Sequence, residues 1–195
     1  MRTFLLPALR LVLFLGVLLG LVYPGLMTGI GQVFFHAKAN GSLIVENGQV
    51  VGSRLIGQDF TSARFFQGRP SATTPPYNAA SSGATNYGPT NPALIQEVKA
   101  NLQAVETANP GVQPQQVPPA LVESSASGLD PDISPAAALL QVPRVAQANN
   151  LAQAAVRQLV DSHIHGRFLW IYGDPYVNVL TLNLAVQHLV AGQGA

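Results

Sequence analysis

From Leu11 to Phe35 no side chain carries a formal charge. With ~1.5 Å of rise per helical residue, about 20 apolar residues cross the ~30 Å hydrocarbon core of a bilayer, so residues 11–35 are predicted to form one transmembrane helix. Arg2, Arg10 and the terminal amine precede this stretch and only Lys38 follows it closely. The positive-inside bias then places residues 1–10 in the cytoplasm and residues 36–195 outside it, in a single-pass topology across the cell membrane. A cleaved signal peptide competes with this reading, because His36–Ala39 offers an A-x-A pattern, but the apolar cores of such peptides run to only ~7–15 residues. Tyr23, Phe34 and Phe35 suit an interfacial belt. Gly16 and Gly20 form a G-x-x-x-G pair that lets a second helix approach, so Gly16, Gly20, Tyr23 and Pro24 are the expected contact with other membrane helices.

Beyond the span remains about one domain's worth of chain, enough to bury a modest core. Ten Lys and Arg against nine Asp and Glu leave no field to attract a polyanion, so nucleic acid is not an expected partner. The absence of cysteine removes thiol catalysis, disulfides and thiolate metal sites together. Charged residues are 10% of the chain, well below the roughly 25% of ordinary soluble domains, so the surface is polar but weakly charged.

The residue pattern points to an α+β domain with a β-hairpin and about three to five helices. Ser42–Glu46 and Gln49–Ile56 are β-branched runs separated by Asn47-Gly48, a pair suited to a type I′ hairpin. Between Arg69 and Pro92 small and polar residues show no sustained apolar period, which predicts a long surface loop of the kind that often carries contacts. Asn91-Pro92 reads as cap and first residue of a helix whose stripe, Leu94, Ile95, Val98, Leu102 and Val105, is expected to pack on the sheet. Residues 112–127 read as an extended connector. Asn150 is expected to cap a helix with Val156 and Val160 on its buried stripe. Arg167–Gly173 is expected to be a strand, with Asp174-Pro175 opening a final buried helix, although the alternation there also permits a strand.

Asp130 and Asp132 flank a proline in a chain poor in charge. Asp130-Pro131 and Ser134-Pro135 each read as a capping side chain before a proline, so two successive helix starts explain the spacing, with Asp132 favourable in the first turn. No histidine, lysine or third carboxylate lies close by in sequence to make the pair an acid and base. Pro143 is expected to break or kink the alanine-rich helix and leave Arg144 to meet a carboxylate or carbonyl. His163 and His165 supply too few ligands for zinc. There is no phosphate-binding P-loop, no nucleophile elbow and no aspartyl-phosphate motif, and one span cannot enclose an ion path. Neither a catalytic residue nor a metal site is expected.

Five segments, in order along nearly the whole chain, carry a resemblance: "ANGSLI" after the span, "GSRLIGQDF", "FFQGRPSAT", "SASGLDPDISPAAALLQVPRVAQA" and "VNVLTLNLAV". Together they resemble the C chain family of the Kdp potassium-transporting ATPase. Glu123 departs from the threonine common in that family, and the tail after "NLAV" lacks the expected acid. The resemblance implies a non-catalytic, single-span accessory subunit of a four-chain pump that imports potassium at low external concentration. Its implied partners are a channel-like potassium-binding subunit, a P-type ATP-hydrolysing subunit and a small single-span subunit. The family is also described as a catalytic chaperone that raises ATP affinity through a transient ternary complex with the nucleotide. For that role Arg69, Ser71 and Arg144 are the candidate phosphate ligands, but a domain outside the cytoplasm would be separated from cytoplasmic ATP.

Overall fold

A computed structural model describes residues 2–193. Met1, whose amine entered the charge count, and residues 194–195 of the tail lie outside the described residues. The chain divides into two compact units, Met1–Leu43 and Ile44–Ala195.

The first unit is the apolar helix. It is continuous from Phe4 to Phe34 with mean hydropathy 2.5 and none of its most apolar window buried. It begins earlier than the charge-free stretch because Arg10 is carried within it. The helix runs as α1 (Arg2–Val17), a π-turn over Leu18–Val22, and α2 (Tyr23–Phe34). Pro24 accounts for the π-turn. A proline cannot donate to the carbonyl four residues back and its ring crowds that turn, so the helix widens just ahead of it and the Tyr23 amide bonds Leu18 O, five residues back. Glycines 16, 20, 25 and 29 are spaced four, five and four, and the wide turn absorbs the extra residue, keeping them on one ridge. A short helix α3 (His36–Ala39) follows, and Asn40 Nδ2 donates to Gln32 Oε1 at 3.0 Å and to His36 O at 2.7 Å, closing the end of the helix with a polar knot.

The second unit is the predicted α+β domain. Strands β1 (Leu43–Glu46) and β2 (Gln49–Ser53) form a two-stranded sheet, and their turn has positive φ at both Asn47 (51°) and Gly48 (79°), the type I′ requirement. A second sheet has the order β3-β5-β4, all antiparallel: β3 is Asp132–Ile133, β4 Ile164–His165 and β5 Tyr176–Asn178. Its register sets Ile133 and Ile164 on either side of Val177. Of the helices α5 (Pro135–Ala148), α6 (Gln153–Ser162) and α7 (Val179–Gln193), α6 packs against both of the others, and α5 and α7 pack on β5. Val145, Val156, Val160, Val177 and Leu182 are fully buried among them.

Helix α4 (Pro92–Ala108) starts as its sequence requires, with Asn91 Oδ1 accepting from the Ala93 amide at 2.9 Å. It packs chiefly against a 3₁₀ turn at Pro119–Leu121, and Val105 is its one buried residue, so the expected sheet contact is replaced by this narrower one. The connector 112–127 is less extended than expected, because prolines 114 and 119 each open a 3₁₀ turn.

The expected helix starts need correction. Ser134 caps α5, accepting from the Ala137 amide at 3.3 Å, but Asp130 caps no helix: the residues after it form β3, and its Oδ1 accepts from the Asp132 amide two residues on. Asp174 likewise precedes β5, and Asn178 Oδ1 accepts from Thr181 N in the first turn of α7. Asn150 is not the start of α6 but the end of α5: it takes a left-handed φ of 56°, its amide bonds Gln147 O and the Leu151 amide bonds Ala146 O, the Schellman arrangement. Pro143 lies inside α5 without ending it, which excludes the expected break and not the kink; Val142, Val145 and Ala146 on either side of it are buried and their burial outweighs one lost helix bond.

Arg167–Gly173 is not a strand. Phe168 and Tyr172 exchange one bridge of hydrogen bonds at 2.9 Å each, and the chain between them turns through left-handed conformations at Leu169 and Trp170. High β propensity describes a residue that fits a half-buried sheet face, and no sheet face covers these side chains.

Candidate functional site

Residues 57–83 contain no helix or strand, yet two sets of side chains fix their course. The first set lies in the core. Phe66 is 0% exposed, with its amide bonded to Asn183 Oδ1 at 2.8 Å and its carbonyl accepting from Asn183 Nδ2 at 2.9 Å. Gln141 repeats the arrangement on Gln67, accepting from its amide at 2.8 Å and donating to its carbonyl at 3.1 Å. Each side-chain amide thus supplies the donor and acceptor that a neighbouring strand would supply.

Arg144 completes this grip. It is 8% exposed, and its guanidinium donates to Ala63 O (2.8 Å), Phe65 O (3.0 Å), Asn109 Oδ1 (3.1 Å) and Gln141 Oε1 (2.6 Å). Burial lowers its pKa from the ordinary arginine value, and the four oxygens stand in for water around the charge. It meets carbonyls, as one sequence alternative allows. With its donors held by the protein, it does not present the fork that a phosphate ligand needs.

The second set joins the two most distinctive sequence segments, "GRPSA" and "SASGLD". Arg69 Nη1 donates to Asp130 Oδ2 at 3.1 Å, and Nη2 reaches Glu123 O and Ser124 O at 3.4 Å. The Glu123 contact is through its backbone, so it does not depend on the side chain at that position. Ser71 Oγ donates to Gly128 O at 2.7 Å and accepts from the Tyr77 amide at 2.9 Å, and Tyr77 Oη donates to Arg69 O at 2.6 Å. Burial first, then the Asp130 and Asp59 carboxylates, push the Tyr77 phenol up to about 12. The Gly57 amide bonds Leu129 O and the Gly83 amide bonds Ser127 O, so both ends of the loop are sewn to residues 125–130.

Two glycines are demanded by this knot. A Cβ on Gly57 would lie 2.5 Å from Asp130 O and 2.5 Å from the Tyr77 ring, and one on Gly128, whose φ is 66°, would lie 2.6 Å from Thr73 Cγ2. Beside the knot an open cleft of about 390 Å³ is lined by Asp59, Gln67, Arg69, Ser71, Tyr77 and Asn101, among others. Arg69 Nε is buried there without an acceptor among the described residues. Asp132, on the opposite side of Pro131, accepts from Asn178 Nδ2 at 2.8 Å, and burial raises its pKa.

Among the sequence candidates, Arg69 and Ser71 are therefore neighbours, whereas Arg144 belongs to the core grip. His163 Nδ1 lies 2.8 Å from Leu159 O at the end of α6, and His165 stacks on Tyr176 with ring centroids 4.9 Å apart. Among the described residues no three His, Asp or Glu side chains gather as metal ligands. Sequence reasoning missed Gln141, Asn183 and Asn109. The available signal was a lone amide inside an apolar helical run, in "ALLQVP" and "LTLNLAV", which must find a partner if buried. On the apolar helix, a Cβ added at Gly16 or Gly20 would touch nothing within 4 Å, and Tyr23 is exposed.

Fold and site define a class: an α+β domain joined to an N-terminal helix of membrane-spanning length, whose most distinctive polar residues hold its own loops. Residues 5–188 match the family described as K+-transporting ATPase, c chain, KdpC. Proteins named potassium-transporting ATPase KdpC subunit are similar to it over nearly their whole length. That of Herpetosiphon aurantiacus is 53% identical over 190 residues, covering 97% of this chain and 98% of the relative. That of Methylobacterium nodulans is 51% identical over 195 residues (94% and 96%), and that of Caldanaerobacter subterraneus 53% over 170 residues (87% of each). The chain belongs to the KdpC family, and is thus a subunit of the potassium-transporting ATPase.

Proposed function

We propose that this chain is a non-catalytic accessory subunit of the potassium-import complex, supporting assembly and activity of a channel-like subunit and an ATP-hydrolysing subunit, with its domain on the extracytoplasmic side. The observation that carries this is the loop 57–83. Its conserving of shape depends on no ligand, because Arg144, Gln141, Asn183, Arg69 and Ser71 all bond the domain itself. A preformed surface of this kind suits docking, since little ordering entropy opposes association. The apolar helix offers the second contact, with Gly16 and Gly20 on an open ridge beside Tyr23 and Pro24. Copurification tests it: Gly16→Leu with Gly20→Leu is expected to lower recovery of the other subunits with this chain, and normal yield and activity would reject the span contact.

A second reading, in which the chain raises the ATP affinity of the hydrolysing subunit, is favoured by one feature, the acceptor-free Nε of Arg69 beside the cleft. Against it, Asp59 lines the same cleft and Arg69 is already paired to Asp130, so a polyphosphate would meet negative charge. Photolabelling of the assembled complex with azido-ATP separates the readings: labelling of this chain, lost in Arg69→Gln, would favour the second.

A further inference from the structure

Five consecutive side chains at the Arg167–Asp174 tip are apolar or aromatic and each is more than half exposed: Phe168 71%, Leu169 61%, Trp170 93%, Ile171 73% and Tyr172 65%. Among the described residues nothing covers them, and exposure of this much contiguous apolar surface marks a place of contact. The backbone is shaped to present them. Leu169 and Trp170 hold positive φ (50° and 67°), a conformation costly for non-glycine residues, which throws the indole to the apex. At the base Arg167 Nη2 pairs with Asp174 Oδ1 at 3.2 Å, so the tip carries no net charge and no formal charge lies between them.

We propose that this tip is a membrane-interface anchor, with Trp170, Phe168 and Ile171 seated among the lipid headgroups and upper acyl chains. Trp and Tyr have an apolar body with one polar handle, the chemistry enriched where hydrocarbon meets water. A bilayer is also the one surface the chain brings with it. The apolar helix ends at Phe34 and the first strand begins at Leu43. A domain of roughly 15 Å radius of gyration on so short a connection stays within its own dimensions of the lipid, so even a weak insertion is satisfied at high effective concentration. A protein hot spot would also use Trp and Tyr, but the arginine that commonly joins them is here paired within the tip. This inference rests on membrane anchoring of the chain and not on its role in the pump.

Trp170 is the sole tryptophan of the chain, so its fluorescence reports the tip alone. The full-length protein is reconstituted into phosphatidylcholine vesicles, with and without phosphatidylglycerol, and flotation confirms incorporation. Brominated phosphatidylcholine is expected to quench Trp170 by about half or more, equally in both lipid mixtures. Phe168→Ser with Ile171→Ser, at exposed positions, is expected to leave the melting curve unchanged and to abolish most of that quenching. Failure of brominated lipid to quench Trp170 in floated vesicles would overturn the proposal, and a blue shift arising only when the other subunits are added would assign the tip to a protein contact instead. Quenching confined to vesicles with phosphatidylglycerol would overturn insertion of an uncharged tip.

Discussion

The loop 57–83 and the tip 167–174 look alike in one respect, since neither has regular secondary structure beyond a bridge, and they differ in every other. In the long loop, Asn183 and Gln141 from the helices and Ser71 from the loop itself replace the missing strand bonds, so a stretch rich in Ser, Thr, Pro and Gly becomes as determined as a sheet. In the short tip the apolar side chains turn outward and the backbone strains to hold them there. Composition alone would have assigned these roles the other way round. Whether a segment is fixed depends on where its backbone amides and carbonyls find partners, and this varies independently of how apolar the segment is.

This contrast can be broken by substitution. The largest effect is expected at Arg144: Arg144→Ala leaves the Ala63 and Phe65 carbonyls and Asn109 Oδ1 without their donor, and Gln141 Oε1 with the Gln67 amide alone, and should cost about 3–5 kcal/mol, read as loss of the cooperative urea transition or a much lower midpoint. Gly57→Ala should cost about 2 kcal/mol, because the backbone of Asp130 and the Tyr77 ring must both retreat. At the partly buried Arg69–Asp130 pair, Arg69→Gln should cost about 1 kcal/mol in the same melts. Trp170→Ala should change stability by less than about 0.5 kcal/mol, and a loss comparable to that at Arg144 would erase the distinction between the two segments.

The smallest effect sharpens the electrostatics around β3. Burial raises the Asp132 pKa, with Asp130 adding to the rise, while the Asn178 hydrogen bond and His165 oppose it. The folded state therefore holds this proton more tightly than the unfolded state does. Stability falls as pH rises through the window between the ordinary carboxylate value and the raised one, and returns as pH falls back through it. Asp132→Asn should melt higher than the parent at neutral pH and converge with it below the carboxylate range. A difference that grows as pH falls would contradict the sign.

Much of this was legible in the sequence where a short-range rule governs. The apolar helix, the Asn47-Gly48 hairpin and the Asn91 and Ser134 caps each depend on residues within a few positions of one another. Asp130 and Asp174 defy the capping pattern for an instructive reason: Asp-Pro before an apolar run opens a helix or a strand equally well, and the choice is made by the pairing of β3 with β5, which are more than 40 residues apart, a separation no local pattern spans. The final segment, ambiguous in periodicity, is in fact both, three residues of strand and then a helix. Of the site, Arg69 and Ser71 were visible as unusual residues in a distinctive motif, but their partners at Gly128 and Asp130 are joined to them only by the fold. Gln141 and Asn183 escaped notice because periodicity treats a single amide within an apolar stripe as noise, although burial makes it the most constrained residue there.

In the proposed function a membrane helix holds a self-sufficient domain outside the cytoplasm. The native chain has no cysteine, so Ser81→Cys, at an exposed position of the long loop, introduces a unique thiol. Treatment of intact spheroplasts with a membrane-impermeant maleimide is predicted to label this cysteine fully, with no gain on lysis. Labelling that appears only after the spheroplasts are opened would place the domain in the cytoplasm and contradict the account.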